Sequence, residues 1–136
     1  MERFCAWQER CENDVRKKLT SFRLSDSQED AIVAHLKENR FLNEERYAEM
    51  FVRSKVKSAW GKQKIVAALR AKHIPAELVN RYCAAIPEEK YDEKLRNVIE
   101  KWRRTHPDEA PNSPKMVRHL LSKGYGMEEI LRAVSS

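Results

Sequence analysis

The sequence predicts an all-α chain of three tandem three-helix units, forming an elongated, curved right-handed or solenoid-like body. Three observations lead there. Glycine occurs three times in 136 residues, and no β-branched run flanked by turn residues marks a strand. Capping residues stand ahead of apolar positions spaced by three and four. Apolar triplets of one shape recur: Val15, Leu19, Leu24; then Ile65, Leu69, Ile74; then Met116, Leu120, Tyr125, at steps of 50 and then 51 residues. Units of that size bury little alone and lean on their neighbours when stacked in series.

Each element follows from local signals. The leading helix, around residues 4–10, is the shortest, and a second helix carries Val15 and Leu19. Ser25 with Gln28 is a capping-box pair ahead of Ala31, Ile32 and Leu36, which predicts a helix over about residues 26–39. Asn43 is an N-cap candidate for a helix over about residues 44–59, with Tyr47, Met50 and Phe51 on its apolar spacing. Pro75, Pro87 and Pro114 each stand where a first helical residue fits, Pro114 behind the capping Ser113. Gly124 and Gly126 suit a helix end and a tight link. The pattern gives eight or nine helices.

Tyr47 matches Tyr91, and Phe51 matches Leu95, at a step of 44 residues. The third unit therefore holds about seven extra residues between its first two helices, and the polar stretch at residues 105–112 is expected to be a mobile loop holding them. The units are read as residues 1–40, 41–86 and 87–136. Trp7, Trp60 and Trp102 supply one packing anchor per unit, and Trp60, if its helix reaches that far, lies beside the basic ridge described next.

The charge is not evenly spread. Residues 1–45 carry a net −2 and residues 73–136 a net +1, whereas residues 46–72 carry +7 of the total +6, with eight basic groups against Glu49. A solvated helix interleaves its signs; this segment does not, which points to an anionic partner. Projected at 100° per residue, Arg46, Arg53 and Lys57 fall within about 40° of one another. Lys62 and Lys64 carry the positive surface past Gly61. Arg46, Arg53, Lys55, Lys57, Trp60, Lys62 and Lys64 are the candidate partner and nucleic-acid contacts, with Trp60 placed to stack on a base or a side chain.

Other chemistries find no support. No run approaches the ~20 apolar residues of a membrane span, and the first residues lack a secretion signal, so the chain reads as cytoplasmic with no membrane partner. Cys5, Cys11 and Cys83 follow no disulfide pattern and read as reduced thiols. The four histidines show no metal-ligand spacing, so no metal and no cofactor are expected. No nucleophile elbow or triad order appears, and the paired acids Glu44/Glu45 and Glu88/Glu89 suit helix N-termini; the chain reads as no enzyme.

Residues 41–65, Phe-Leu-Asn-Glu-Glu-Arg-Tyr-Ala-Glu-Met-Phe-Val-Arg-Ser-Lys-Val-Lys-Ser-Ala-Trp-Gly-Lys-Gln-Lys-Ile, running on to Leu69, Lys72 and Ile74, resemble the signature of the RecX family. Arg46, Tyr47, Ala48, Val52, Arg53, Gly61, Ile65, Leu69 and Ile74 fall on its positions over about 34 residues. Asn43 and Glu44 occupy its acidic turn, Ala68 replaces a usual Glu, and His73 replaces a Gly. The resemblance implies a tandem three-helix fold and a non-enzymatic modulator of the RecA recombinase. Such a protein lodges in the groove of the RecA filament on DNA and inhibits recombination, ATP hydrolysis and coprotease activity. The partners so implied are the RecA filament and single-stranded DNA, with double-stranded DNA as a further candidate, bound by a monomer. The alternative is a helix-turn-helix module that reads duplex sequence, although the basic groups avoid its third helix, residues 75–85.

Overall fold

A computed structural model describes residues 1–7 and 9–135, with Phe4, Ala6 and Trp7 described by backbone alone; the Trp7 anchor therefore lies outside the described side chains. The chain is all-α. The helices are α1 (Glu2–Trp7), α2 (Glu12–Leu19), α3 (Asp26–Glu38), α4 (Glu44–Lys57), α5 (Lys62–Ala71), α6 (Ala76–Ala84), α7 (Glu88–Thr105), α8 (Pro114–Ser122) and α9 (Met127–Ser135). A 3₁₀ turn, Thr20–Phe22, follows α2. The helices associate in threes, α4 with α5 and α6, and α7 with α8 and α9.

Local signals set the helix starts. Both halves of the Ser25/Gln28 capping box form, and the Asn43 side chain accepts the Arg46 N–H at 2.8 Å. Ser113 caps α8 through Met116 N–H, with Pro114 in the first turn. Pro75 and Pro87 stand one position earlier than expected, as N-caps with extended ψ. Their fixed φ suits either place, and neither loses a hydrogen bond there.

The repeated triplets are core. Val15, Leu19, Ile65, Leu69, Ile74, Met116, Leu120 and Tyr125 are buried, and Leu24 is half-buried. Just before the third member of each triplet the backbone turns left-handed: Arg23 at φ 53°, His73 at φ 60° and Gly124 at φ 99°. In the second and third copies the next N–H returns five residues, Ile74 to Leu69 O at 3.1 Å and Tyr125 to Leu120 O at 3.2 Å. This Schellman closure turns the chain and buries the third apolar residue. Only Gly adopts that conformation freely, so His73 holds the family-like turn at a cost of roughly 1–2 kcal/mol, against which Gly carries about 0.5–1 kcal/mol of backbone entropy. His73→Gly is expected to raise stability by roughly 0.5–1 kcal/mol. Urea denaturation checks it, and an unchanged midpoint would show that the turn is unstrained.

The extra residues of the third unit divide between two places. α7 has 18 residues against 14 in α4, and the link to α8 takes the rest. That link is tied down: Arg103 donates to Pro111 O at 2.9 Å and to Asn112 Oδ1 at 2.6 Å, Lys115 pairs with Glu109 at 2.9 Å, and His106 stacks on Trp102 at 4.2 Å. Trp102 itself is buried, as its role as an anchor requires.

The buried side chains form two clusters. One, with Cys5, Val15, Leu19, Val33, Leu36 and Leu42, belongs to α1–α3; the other runs without a break through α4–α9 and takes in Cys11. Two different seams join successive three-helix groups. Between α5 and α8 the helix ends meet: Gly61 and Gln63 donate their N–H groups to Lys123 O at 2.7 Å and Gly124 O at 3.0 Å, and Lys62 donates to Tyr91 Oη at 2.9 Å. The positive N-terminus of α5 thus caps the negative C-terminus of α8 and each satisfies the other's orphan groups. Tyr125 Oη donates to Ala59 O at 3.0 Å, and Tyr91 Oη to Glu129 at 3.1 Å.

The seam between α1–α3 and the rest is largely ionic. Arg46 binds Glu9 at 2.6 Å, Lys72 pairs with Asp14, and Glu44 accepts the Glu12 N–H at 2.5 Å. Burial raises the Glu44 carboxyl above the ordinary carboxylate range. The three cysteines are free and buried, and burial pushes the Cys11 thiol up to about 11, away from nucleophilic thiolate.

Candidate partner and nucleic-acid interface

The seven candidate residues separate into three groups. Arg46 is held within the fold: besides Glu9 it donates to Arg40 O at 2.8 Å, so its charge is spent on the seam with α1–α3. Arg53 and Lys57 are exposed on the outer face of α4; Arg53, with its side chain 70% exposed, also reaches Glu49 at 2.9 Å. Lys55, Lys62 and Lys64 lie on the other side, against aromatic rings.

α4 ends at Lys57, Ala59 turns left-handed at φ 62°, and Trp60 N–H returns to Lys55 O at 2.9 Å. The helix therefore stops short of Trp60, and the condition that would set it beside the Arg46/Arg53/Lys57 stripe is not met. Trp60 packs edge-on against Phe51 at 6.2 Å, on the apolar side. Lys55 Nζ and Lys64 Nζ lie 4.5 and 4.1 Å from the Trp60 ring centre, and Lys62 Nζ 4.7 Å from that of Tyr91. These are cation–π contacts, each worth about 0.5–1 kcal/mol at a partly exposed site. They hold two ammonium groups beside one half-buried indole.

On the stripe side the tertiary structure adds cations that the segment sums concealed. Two grooves run along α7. The first, of about 620 Å³, lies between α4, the α6–α7 corner and α7, and the second, of about 460 Å³, between the end of α4, α7 and α8. Lys57 and Lys94 line both. Lys90 extends the first; Lys101, Lys123 and His119 extend the second, which holds Asn97 and Thr105 and no acid among the described residues. A continuous basic track therefore crosses from α4 through α7 to α8.

A usable signal lay in the sequence. On α7 the bases Lys90, Lys94 and Lys101 fall within about 40° of one another at 100° per residue, while Glu88, Glu89, Asp92, Glu93 and Glu100 occupy the other faces. The net +1 of residues 73–136 averages two opposite faces. The 44-residue step that pairs Tyr47 with Tyr91 also pairs Arg46 with Lys90 and Lys57 with Lys101.

His119 reports on the second groove. Burial, then the neighbouring charges of Lys123 and His106, hold its imidazole below the ordinary value of about 6.5. A depressed histidine resists protonation in the folded state, so its contribution to stability is present above the unfolded value and is lost as pH falls below it. A phosphate chain in the groove would supply the missing counter-charge. Oligothymidylate bound in this groove is therefore expected to raise the His119 titration midpoint followed by NMR, and an unmoved midpoint would show that the groove holds no phosphate chain.

The all-helical tandem body thus carries a basic track and Lys-flanked aromatics on its surface. Residues 43–82 match the family model for RecX, second three-helix domain. The chain is 29% identical over 130 residues to the regulatory protein RecX of Caldanaerobacter subterraneus subsp. tengcongensis, covering 88% of this chain and 64% of that one. It is 34% identical over 126 residues to regulatory protein RecX of Clostridium botulinum (strain Eklund 17B), covering 88% and 58%. The chain thus spans under two thirds of the length of these relatives. The fold is that of the crystal structure of RecX from Lactobacillus salivarius, with a TM-score of 0.84 at 21% identity over 98% of this chain and 88% of that one. A second crystal structure, of regulatory protein RecX, superposes with a TM-score of 0.88 at 20% identity, covering 98% and 69%. Family model, sequence relatives and solved folds together support the RecX family for this chain.

Proposed function

We propose that this protein binds RecA filaments on single-stranded DNA in the cytoplasm, in the filament groove and as a monomer, and inhibits the recombinase, ATPase and coprotease activities of RecA without catalysing a reaction. The observation that carries this reading is the basic track through Lys57, Lys94, Lys101 and Lys123, which joins two three-helix units on one side of a body without a membrane-spanning helix among its described residues. A filament groove presents acidic protein surface and DNA phosphate together, and a track longer than one unit meets both. The hydrogen-bonded seam between α5 and α8 supports this reading by tying the second and third helix groups together.

Titration of the protein into RecA hydrolysing ATP on single-stranded DNA tests the proposal. Hydrolysis is expected to fall at or below one copy per RecA subunit; unchanged hydrolysis with folded protein and RecA of the same species overturns it. The helix-turn-helix alternative gains nothing from the geometry, because Arg81 on α6 is taken by Glu45 and Glu77, each at 2.7 Å.

A further inference from the structure

We propose that the first groove is a docking site for an acidic peptide segment of a partner protein, one that seats an apolar side chain on the groove floor and carboxylates on its rails. The floor is aliphatic, formed by Val52, Val56, Ile86 and Pro87. Above it stand two rails of cations, each pair one helical turn apart: Arg53 and Lys57 on α4, Lys90 and Lys94 on α7. Lys57, Lys90 and Lys94 have no ion-pair partner among the described residues. The single acid of the groove, Glu49, is held by Arg53 at 2.9 Å.

Floor and rails ask for different things of one occupant. An aliphatic floor offers bases no platform to stack on; the aromatic side chain of the lining, Tyr82, has its hydroxyl fixed on Glu45 at 2.8 Å. An apolar side chain leaving water there gains roughly 25 cal/mol per Å² buried. Cations on both sides then demand carboxylates flanking that anchor, the pattern of an amphipathic acidic segment in a groove. The neighbouring groove, polar and without acids, suits phosphate instead. Sharing Lys57 and Lys94, the two place an acidic protein segment beside a nucleic-acid backbone. The inference rests on the filament reading only for which protein carries the segment.

The probe is a fluorescein-labelled peptide of about twelve residues, with Leu and Phe set among Asp and Glu, followed by anisotropy against the full chain. Binding is expected to weaken at least tenfold when Leu and Phe become Ser, in Lys90→Glu/Lys94→Glu, and in Ala85→Trp, which fills the groove from the exposed end of α6. Circular dichroism establishes that each variant is folded, and the two variants alter the groove independently. Equal binding of the Ser peptide, or undiminished binding to both variants, overturns the proposal. Displacement of the peptide by oligothymidylate whose own binding is lost in Ala85→Trp overturns it in favour of nucleic acid. RecA ATPase is read separately: peptide binding without RecA inhibition sinks the filament reading alone, and inhibition without peptide binding sinks the groove alone.

Discussion

Gly61→Ala is expected to destabilise the protein by about 3 kcal/mol or more, lowering its melting temperature by roughly 10 °C. A Cβ at Gly61 stands 2.1 Å from the carbonyl carbon of Gly124 and 2.2 Å from the nitrogen of Tyr125. Both are backbone atoms, and neither can move aside while Gly61 N–H and Gln63 N–H hold Lys123 O and Gly124 O. The α5–α8 seam must open, exposing the orphan groups of two helix ends together. Gly126→Ala is the control, since its Cβ meets only side-chain atoms, of Gln63 at 3.1 Å and Glu129 at 3.4 Å. Thermal melting of the two variants decides the matter, and equal melting temperatures would show that the close approach carries no stability.

The second large effect is expected from Arg53→Glu with Lys57→Glu. Both side chains are exposed, so folding should be unaffected to within about 0.5 kcal/mol. Binding to RecA filaments on single-stranded DNA is expected to fall at least tenfold, because two charges are reversed, a net change of four, at one end of the track. Phosphate contacts release counterions, and each lost contact flattens the salt dependence by about 0.7 in the log–log slope for single strands. Filament affinity measured over a salt series separates the sources of the loss: weaker binding with an unchanged slope assigns the pair to protein carboxylates, and a flatter slope to phosphate. Undiminished affinity at physiological salt would make the stripe a solubility feature.

The two variants differ in how readily the sequence revealed their sites. Arg53 and Lys57 were legible because helical periodicity alone puts them on one face, and α4 keeps that periodicity from its Asn43 cap to Lys57. The same device placed Trp60 beside the stripe only on condition that the helix reach it, and the helix stops two residues before Ala59, which reverses the chain at φ 62°. Arg46 shares the stripe's angle but not its freedom; its partner Glu9 lies 37 residues away and no local pattern announces it. The cations of α7 were hidden for another reason, a segment sum that cancels opposite faces of one helix.

What the amino-acid sequence determined by itself was everything set by near neighbours: the all-α class, the caps at Ser25, Asn43 and Ser113, the buried triplets at fifty-residue steps, and the family-like stretch around Gly61. These depend on backbone hydrogen bonding and apolar spacing within a few turns, which the order of residues states directly. The tertiary structure alone decided that α4–α9 share one core, that Gly61 lies on Gly124, and that lysines of α4, α7 and α8 line common grooves. Those are relations between helices. They arise from how ends and faces satisfy one another in space, and residues 63 positions apart, such as Gly61 and Gly124, carry no local record of it.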